Sequence, residues 1–387
     1  MRLSAHQGLV DSDRPHSGRD LAARSGHDGG MTISRQDTSV TASAALERAR
    51  ASFGDTRGFL AVAATGVPPV ESVAAMTEDL ALRARARRDP QDYDAIVANT
   101  RGHYARLVHV PVDRVAVGSQ TSVIAGVIAA AVPAGAEVLC VEGDFSSMVF
   151  PFLQRPDVTV RHVPVAGLAD AVTESTWLVA FSLVQSATGV VADASAIVAA
   201  SARHGAYTFC DTTQAAGVHP VDAGQFDATV CHAYKWLCSP RGVAFLTVST
   251  EFQEKLIPTQ AGWYAGESVW QSCYGPSMSL APDARRFDVS PAWPAWVGAE
   301  PAIRLFADLD IVEVWRYTSA LGDRLCDGLG IPQQHQAIVT WADPDGTDLT
   351  KLVRADIRAS ARAGRVRAAF HLWNDAADVD AVVRALR

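Results

Sequence analysis

Short runs of Val, Leu, Ile and Ala recur through the middle of the chain, and each fits a buried strand. Seven runs predict strands, over residues 115–117, 137–142, 158–163, 177–182, 206–210, 228–231 and 242–248. Alanine-rich stretches with helical spacing lie between several of them, such as 123–132 and 194–204. Apolar strands that alternate with helices predict an α/β fold whose sheet is mostly parallel and covered by helices on both faces.

The pattern changes after Glu300, where a long helix over 301–329 is predicted. Two strands near 337–341 and 366–372 and a closing helix over 378–386 follow it. Upstream of the strands, helical patterns cover 42–53 and 76–88. We therefore predict three regions, a disordered N-terminal extension (1–40), a large α/β domain (41–300) and a smaller C-terminal α+β domain (301–387).

Composition narrows the function classes. The chain has 387 residues, 48% of them hydrophobic, which is enough for one large core and a smaller second domain. The net charge of −8 argues against nucleic acid as the main partner, because phosphate binding needs excess Lys and Arg. No apolar run approaches the length of a membrane span. No metal is expected.

The N-terminal residues and the cysteines indicate the cellular compartment. The first thirty residues are polar and lack the apolar segment of a secretory signal, and Met31 is a second candidate for the start of the chain. The six cysteines form neither CxxC pairs nor a disulfide ladder. Cysteines of this kind are typical of a reducing compartment, so we expect a cytoplasmic protein.

Polar residues follow three of the predicted strands, and ligands collect at the carboxyl ends of parallel strands. Residues 118–122 (Gly-Ser-Gln-Thr-Ser) precede a helix and form either a phosphate site or an ordinary helix cap. Asp211 ends another predicted strand. A carboxylate there is unfavourable unless it pairs with a cation or caps a helix. Lys235 lies among aromatic and apolar residues, so it is either extended to the surface or deprotonated and reactive.

Together these motifs resemble the fold-type I pyridoxal-5′-phosphate (PLP) enzymes, specifically the class V aminotransferase group. That group contains cysteine desulfurases, kynureninases and isopenicillin N epimerases. The resemblance runs from Phe59 to the C-terminus. Its best-matched segments are 118–122 (GSQTS), 209–215 (FCDTTQA), 232–237 (HAYKWL), 286–290 (RFDVS) and 365–374 (RVRAAFHLWN). The most specific part is Asp-x-x-Gln at 211–214 followed by Lys235.

The resemblance assigns the central roles to three residues. Lys235 holds PLP as a Schiff base and moves the proton of the substrate Cα. Asp211 faces the pyridine nitrogen and keeps it protonated, so that the ring accepts electrons from the carbanion. Gln214 hydrogen-bonds the ring hydroxyl.

The remaining cofactor contacts implied by the resemblance surround these three. Thr121, Ser122 and Tyr234 hold the phosphate. Phe145 stacks on the ring, with a core aromatic as the alternative reading. Ser186 stands where desulfurases carry an Asn near the ring hydroxyl, so that contact is not carried over.

Further residues are implied for the substrate and for a neighbouring subunit. Arg367 matches the family arginine that pairs with the substrate carboxylate, and Arg365 is its rival. Trp263 and Ser290 lie in segments that reach the cofactor of the neighbouring subunit. The resemblance therefore implies a homodimer whose active sites lie at the subunit interface, with a small amino acid as substrate.

The reaction is the most open part of the prediction. Desulfurases carry a nucleophilic cysteine on a loop that corresponds to 350–355, which has none here, so persulfide transfer is not expected. Phe145, Tyr234 and Val184-Gln185 favour a lyase that eliminates a β-substituent or cleaves a side chain, as kynureninases and carbon–sulfur lyases do, for example on a cysteine conjugate. An aminotransferase is the close alternative.

Three other functions are less favoured. One is an epimerase, and another is a PLP sensor without catalysis. The third is an NAD-dependent dehydrogenase, which is disfavoured because no GxGxxG follows a strand.

Overall fold

Seven strands form the central sheet, in the order β1-β7-β6-β5-β4-β2-β3. They are β1 (Val115–Gly118), β2 (Glu137–Val141), β3 (Thr159–Val163), β4 (Thr176–Ser182), β5 (Tyr207–Asp211), β6 (Ala228–His232) and β7 (Ala244–Val248). The computed structural model describes residues 43–276 and 278–387, so the extension predicted over 1–40, with Met31, lies outside the described residues. All seven strands predicted from the apolar runs are present.

The sheet is mostly parallel, as predicted. Strands β2 to β6 pair in parallel, and β7 is antiparallel to both β6 and β1. Strand β1 therefore runs in the same direction as β4, β5 and β6. Because of this direction, the carboxyl ends of these four strands meet at one edge of the sheet.

Helices cover both faces of this sheet. The described helices are α1 (Ala44–Arg50), α2 (Val70–Ala84), α3 (Asp92–Leu107), α4 (Thr121–Ala131), α5 (Ser146–Leu153), α6 (Ala194–His204), α7 (Thr250–Gln253), α8 (Trp293–Ala307), α9 (Ile311–Leu329), α10 (Thr347–Arg354) and α11 (Ala376–Leu386). Successive strand residues point to opposite faces, so Val179 enters the core that includes α6, and Ala180 the core that includes α4 and α5. Among the described residues, none of these helices is long and apolar enough to cross a membrane.

The single helix predicted over 301–329 is wrong, because two helices occupy this region. Helix α8 starts earlier, at Trp293, and Pro301 lies inside it. Helix α9 begins after Asp310, whose carboxylate accepts hydrogen bonds from Val312 N at 2.9 Å and Glu313 N at 3.4 Å. This cap satisfies amide groups that would otherwise lack a partner, so it stabilises a new helix start.

Three antiparallel strands form a second sheet, in the order β8-β10-β9. They are β8 (Ile338–Ala342), β9 (Ser360–Arg362) and β10 (Arg365–Ala369). Single bridges pair Phe59 with Arg358 and Ala61 with Ala369, so the segment before α2 joins this sheet. The predicted boundary between 300 and 301 falls inside α8, and the division into two domains stays a proposal.

A buried ion pair holds the edge strand β1 in place. Arg101 of α3 donates to both carboxylate oxygens of Asp288, at 3.1 and 2.6 Å, and to Val115 O at 2.6 Å. Asp288 also accepts from Val117 N at 2.7 Å. Both side chains are almost fully buried, so each charge depends on the other for compensation.

We expect Asp288→Ala to lower the free energy of unfolding by about 3 kcal/mol or more, because it leaves the Arg101 charge buried without a partner. The matched control is Asp308→Ala, which breaks the exposed ion pair with Arg106. That change should stay within about 1 kcal/mol. Urea unfolding of both variants measures the difference, and equal effects would contradict the role given to the buried pair.

Candidate active site

The carboxyl edge of the sheet brings four strand ends together. Gly118 of β1 and His232 of β6 both pair with Ala244 of β7, which lies between them. Ser182 of β4 pairs with Asp211 of β5. The segments that follow these strands therefore converge, and they contain most of the predicted site residues.

Lys235 lies in a buried turn after β6, and its side chain is 6% exposed. The turn is closed by Ala233 N donating to Val243 O at 3.0 Å and by Cys238 N donating to Lys235 O at 2.9 Å. Burial lowers the pKa of Lys235 to about 8, an effect that the negative charge of Asp211 partly opposes. This lysine is therefore not extended to the surface, and near neutral pH part of it is the free amine.

Asp211 is 3% exposed at the end of β5. One carboxylate oxygen accepts a hydrogen bond from Thr213 N at 2.8 Å. Burial raises the pKa of Asp211 to about 6, although this hydrogen bond and the charge of Lys235 favour the ionised form. Thr213 also accepts from His232 N at 2.9 Å, which ties the end of β5 to the end of β6.

Phe145 faces the lysine from the segment before α5. Its ring centroid lies 5.4 Å from Lys235 Nζ, and the Tyr234 ring lies 5.7 Å from the same atom. Phe145 is 37% exposed, so the alternative reading as a core aromatic is wrong. The two rings form an aromatic boundary beside the amine.

Asp144 holds Phe145 in this position, a contribution that sequence analysis missed. Its carboxylate accepts from Ser182 N at 2.8 Å, from Ser182 Oγ at 2.6 Å and from Phe145 N at 2.7 Å. The amide of Gln185 adds a longer bond of 3.3 Å. Asp144 thus connects the end of β4 to the segment before α5. Its position directly before Phe145 was the available signal, but the partner in β4 is remote in sequence.

Gln214 belongs to a hydrogen-bonded chain behind the lysine. Its side-chain oxygen accepts from Trp236 Nε1 at 2.7 Å, and its amide nitrogen donates to Ala63 O at 2.9 Å. One N–H of the amide is left for the predicted contact with a ring hydroxyl. On the far side, His371 Nδ1 accepts from Leu372 N at 2.7 Å, so Nε2 carries the proton and donates to Trp236 O at 2.9 Å.

The predicted phosphate site lies where α4 begins. Thr121 is the first residue of α4 and Ser122 the second, and the residue that caps the helix, Gln120, forms no side-chain capping bond. The ordinary-cap reading of these hydroxyls is therefore wrong. Thr121 Oγ1 is buried and has no hydrogen-bond partner among the described residues. A buried hydroxyl of this kind is available to a ligand.

His232 is a second residue that sequence analysis did not single out, although it lies within the quoted motif. It is buried, its Nε2 has no partner in the described part of the chain, and its ring lies 4.4 Å from the Tyr234 ring. Burial lowers its pKa to about 4, so the ring is neutral at physiological pH. Its place at the end of β6, close to Lys235, was the signal that could have identified it.

Arg367 and Arg365 of β10 have different surroundings. Arg367 is 2% exposed, donates to Ser360 Oγ at 3.0 Å and contacts Ser186 O through Nη1. Its Nη2 has no partner within residues 43–276 and 278–387. Arg365 instead donates to Thr340 O at 3.1 Å and to Thr340 Oγ1 at 3.2 Å. The geometry therefore favours Arg367 as the arginine with a free donor.

Within one chain, the described contacts of Trp263 and Ser290 do not connect them to Lys235. Trp263 packs against Trp270, with ring centroids 5.1 Å apart, and Ser290 is exposed. Among the described residues, neither has a hydrogen bond or ring contact with the other predicted site residues. Their predicted contact with a neighbouring subunit stays a prediction.

Residues 59–347 match the family Aminotransferase class-V, and the chain belongs to this family. The resemblance to the class V group of fold-type I PLP enzymes, predicted from the motifs, is thereby confirmed. Membership also makes the dehydrogenase alternative wrong.

Two relatives match part of the chain. One is an uncharacterised aminotransferase, YcbU, of Bacillus subtilis (strain 168), 27% identical over 226 residues, which are 55% of this chain and 60% of that protein. The other is a kynureninase of Deinococcus radiodurans, 30% identical over 234 residues, which are 57% of this chain and 56% of that protein. The match thus spans less than two thirds of either relative.

Solved structures share the fold over most of the chain. The cysteine desulfurase CsdA of Escherichia coli has a TM-score of 0.77 at 21% identity, with 88% of this chain and 97% of that chain covered. The cystine C–S lyase C-DES has a TM-score of 0.78 at 19% identity, with 86% and 97% covered. A likeness at these identities confirms the fold-type I architecture and no more.

We expect Lys235 to titrate near pH 8 in the cofactor-free protein, so that its reaction with formaldehyde and cyanoborohydride rises as the pH passes that value. Asp211→Asn should lower this pKa, because it removes the anion that stabilises the ammonium form. Arg367→Gln should raise it, because it removes a repelling cation. Mass spectrometry of the labelled peptides measures both shifts, with the exposed Lys255 as internal control. Shifts in the opposite directions would contradict the charge arrangement described here.

Proposed function

We propose that this protein is a PLP-dependent lyase that acts on an amino acid with a leaving group at the β-position. The observation that carries the proposal is the buried pair of Lys235 and Asp211 at the carboxyl edge of the sheet. Lysine and aspartate are rarely buried without a specific reason. In a member of this family, that reason is a cofactor held between them.

The polar groups around the pair fit PLP. Thr121 Oγ1, His232 Nε2 and Arg367 Nη2 are all buried and lack partners among the described residues. Leaving such groups unpaired costs about 1–3 kcal/mol each. A phosphate beside Thr121 and His232, and a substrate carboxylate beside Arg367, would supply the missing acceptors. A solved structure of a C-DES mutant holds glycine covalently linked to PLP, which supports the same cofactor here.

Each residue near the lysine has a defined task in this proposal. Lys235 holds the cofactor, Asp211 faces its pyridine nitrogen, and Gln214 donates its free N–H to the ring hydroxyl. Phe145 stacks on the ring. The phosphate is held by the start of α4 and the turn before the lysine, through Thr121, Ser122 and Tyr234.

The chemistry divides between cofactor and protein. When bound, PLP supplies an electron sink for the carbanion that forms at the substrate Cα. Burial favours the free amine of Lys235, which takes the Cα proton as a base and returns a proton afterwards. Phe145 and Tyr234 keep water away from this amine.

Asp211 controls the charge of the ring nitrogen. Its pKa of about 6 means that the carboxylate is ionised above that pH and protonated below it. An ionised Asp211 holds a proton on the pyridine nitrogen, because the two opposite charges share a buried site. When the cofactor is bound, the protonated pyridine nitrogen would favour the ionised carboxylate further, so we expect the site to keep this function to a pH below the pKa of about 6 that applies without the cofactor.

Two observations favour a lyase over sulfur transfer. The region of the desulfurase cysteine, 350–355, contains none, and it forms the end of α10 and the residue after it. Cys326, the last cysteine, is fully buried on α9, and burial raises its pKa, so it is not a nucleophile. The relatives include a kynureninase and, by fold, a C–S lyase. Aminotransfer is the second candidate, supported by the relative named as an aminotransferase.

The proposal also includes the assembly. A homodimer would place Trp263 and Ser290 beside the neighbouring cofactor, which accounts for an exposed serine in a matched motif. A cytoplasmic location is part of the same proposal. Epimerase activity and a sensor role without turnover are less favoured outcomes.

We expect purified protein with PLP to show the visible absorption band of a lysine-bound cofactor. Lys235→Ala should lose the band, and borohydride should then trap nothing on that segment. Lys255→Ala is the control, because Lys255 is exposed and should leave the band unchanged. A wild-type protein without the band would make the proposal wrong.

The products decide between the two reactions. A cysteine conjugate given to a lyase that eliminates the β-substituent yields a thiol, pyruvate and ammonia, whereas aminotransfer yields a keto acid that keeps the β-substituent. Release of alanine would indicate a lyase that cleaves the side chain, inversion at Cα with no change of composition would indicate the epimerase, and binding without turnover would indicate the sensor.

We expect Arg367→Gln to weaken binding of the amino-acid substrate about tenfold or more, since a charge-assisted bond to a carboxylate contributes about 1.5–3 kcal/mol. Arg365→Gln is the matched control, because that side chain is already occupied by Thr340. Spectral titration of both variants measures the dissociation constants. A larger loss in the Arg365 variant would assign the carboxylate to Arg365 instead.

A further inference from the structure

The hairpin of β9 and β10 carries an arginine that the proposed function does not use. In its register, Ser360 lies opposite Arg367, and Arg362 lies opposite Arg365. Side chains directly opposite each other in an antiparallel pair project from the same face. One face of the hairpin therefore presents three arginines.

This face points into the candidate active site. Arg367 extends from it to Ser186 O and is buried there. Arg365 turns instead to Thr340 of the neighbouring strand β8. Arg362 is thus the remaining cation on a face whose neighbouring arginine reaches the substrate site.

Arg362 has no acidic partner among the described residues. Its guanidinium donates only to Ala361 O, at 2.6 Å, and the side chain is exposed. Its positive charge nevertheless lowers the pKa of Lys235 and that of Arg367. Charges influence each other in this way only over short distances, because water and salt screen longer ones. The strand register agrees, because Arg362 lies diagonally across from Arg367 on the same face of the hairpin, a spacing of about 7–8 Å that long side chains can bridge.

The charges around the site do not balance without ligands. On the phosphate side, Arg241 lies 4.9 Å from the Tyr234 ring, where it adds to the attraction for a phosphate. The negative charge of Asp211 favours the ammonium form of Lys235. Asp144 is already satisfied by its hydrogen bonds to β4 and to Phe145. A substrate α-carboxylate would match Arg367, and the exposed guanidinium of Arg362 would remain available to a second anion.

We propose that the substrate carries a second carboxylate on its side chain, and that Arg362 binds it. This inference rests on the proposed function and names its substrate class, amino acids with an anionic side chain. A cysteine conjugate whose sulfur substituent ends in a carboxylate belongs to this class. The arrangement selects such substrates because Arg367 and Arg362 project from one rigid hairpin and bind two anions of the same molecule.

The test uses a matched pair of ligands with holoenzyme. S-carboxymethyl-α-methyl-L-cysteine and its carbamoylmethyl counterpart differ only in the charge of the side-chain end. Both lack a Cα proton, so neither is turned over and binding is measured alone. Spectral titration and calorimetry should show that wild type binds the carboxylate several-fold more tightly, up to about fivefold, as expected for an ion pair with an exposed arginine.

Variants locate the group that recognises the second carboxylate. Arg362→Gln should lose the preference while it keeps the affinity for the carbamoyl ligand, and Arg362→Lys should retain part of the preference. Arg324→Gln removes the same charge from the outer surface of α9, where Arg324 pairs with Asp380 at 2.9 Å, and should change nothing. Thermal unfolding checks that all variants are folded.

The outcomes separate this inference from the function on which it rests. A wild type without the lysine-bound cofactor band overturns the proposed function itself. A wild type with the band that binds both ligands equally overturns only the second carboxylate. A preference that survives in folded Arg362→Gln overturns the assignment to Arg362.

Discussion

Burial of opposite charges at one edge of a sheet is the constraint around which this molecule is organised. Lys235 and Asp211 are both nearly inaccessible to water, and their pKa values, about 8 and about 6, are shifted toward the neutral forms. Such burial is unfavourable unless neighbouring groups compensate the charges. The parallel strands provide this setting. Ser182, Asp211 and His232 end the neighbouring strands β4, β5 and β6, so the sheet brings them to one edge although they are far apart in sequence.

A second constraint concerns the turn that carries Lys235. Three segments remote in sequence, around Gln214, Ala63 and His371, hold this turn in place. Trp236 bonds to Gln214, and Gln214 bonds to Ala63 of the segment before α2. His371, which follows β10, donates to Trp236 O and stacks on its ring at 5.6 Å. Through these contacts the small sheet, which carries Arg367, is tied to the turn that carries Lys235. The base and the carboxylate-binding arginine are therefore positioned by one connected network.

Comparison of the predicted with the observed helices and strands shows which elements can be predicted from local sequence patterns. All seven strands of the large sheet could be predicted, and for the six other than the partly exposed edge strand β3 the reason is that a strand covered on both faces needs a nearly continuous apolar run. The long helix over 301–329 could not, because its division depends on the capping bonds of Asp310. Helices α3, α5, α7 and α10 were not predicted. Helix α5 contains Pro151 and is short, so its pattern is weak, and its place depends on packing against α4.

The sequence by itself determined the fold class, the family and the identity of the residues at the centre of the site. Lys235, Asp211 and Gln214 could be recognised because they match a motif of the class V group, Asp-x-x-Gln followed by a lysine, at the ends of predicted strands. Only the tertiary structure decided their protonation states, the hydrogen bonds by which Asp144 holds Phe145, and the positions of His232 and Arg362. These properties depend on burial and on groups remote in sequence, and a local pattern of residues predicts neither of them.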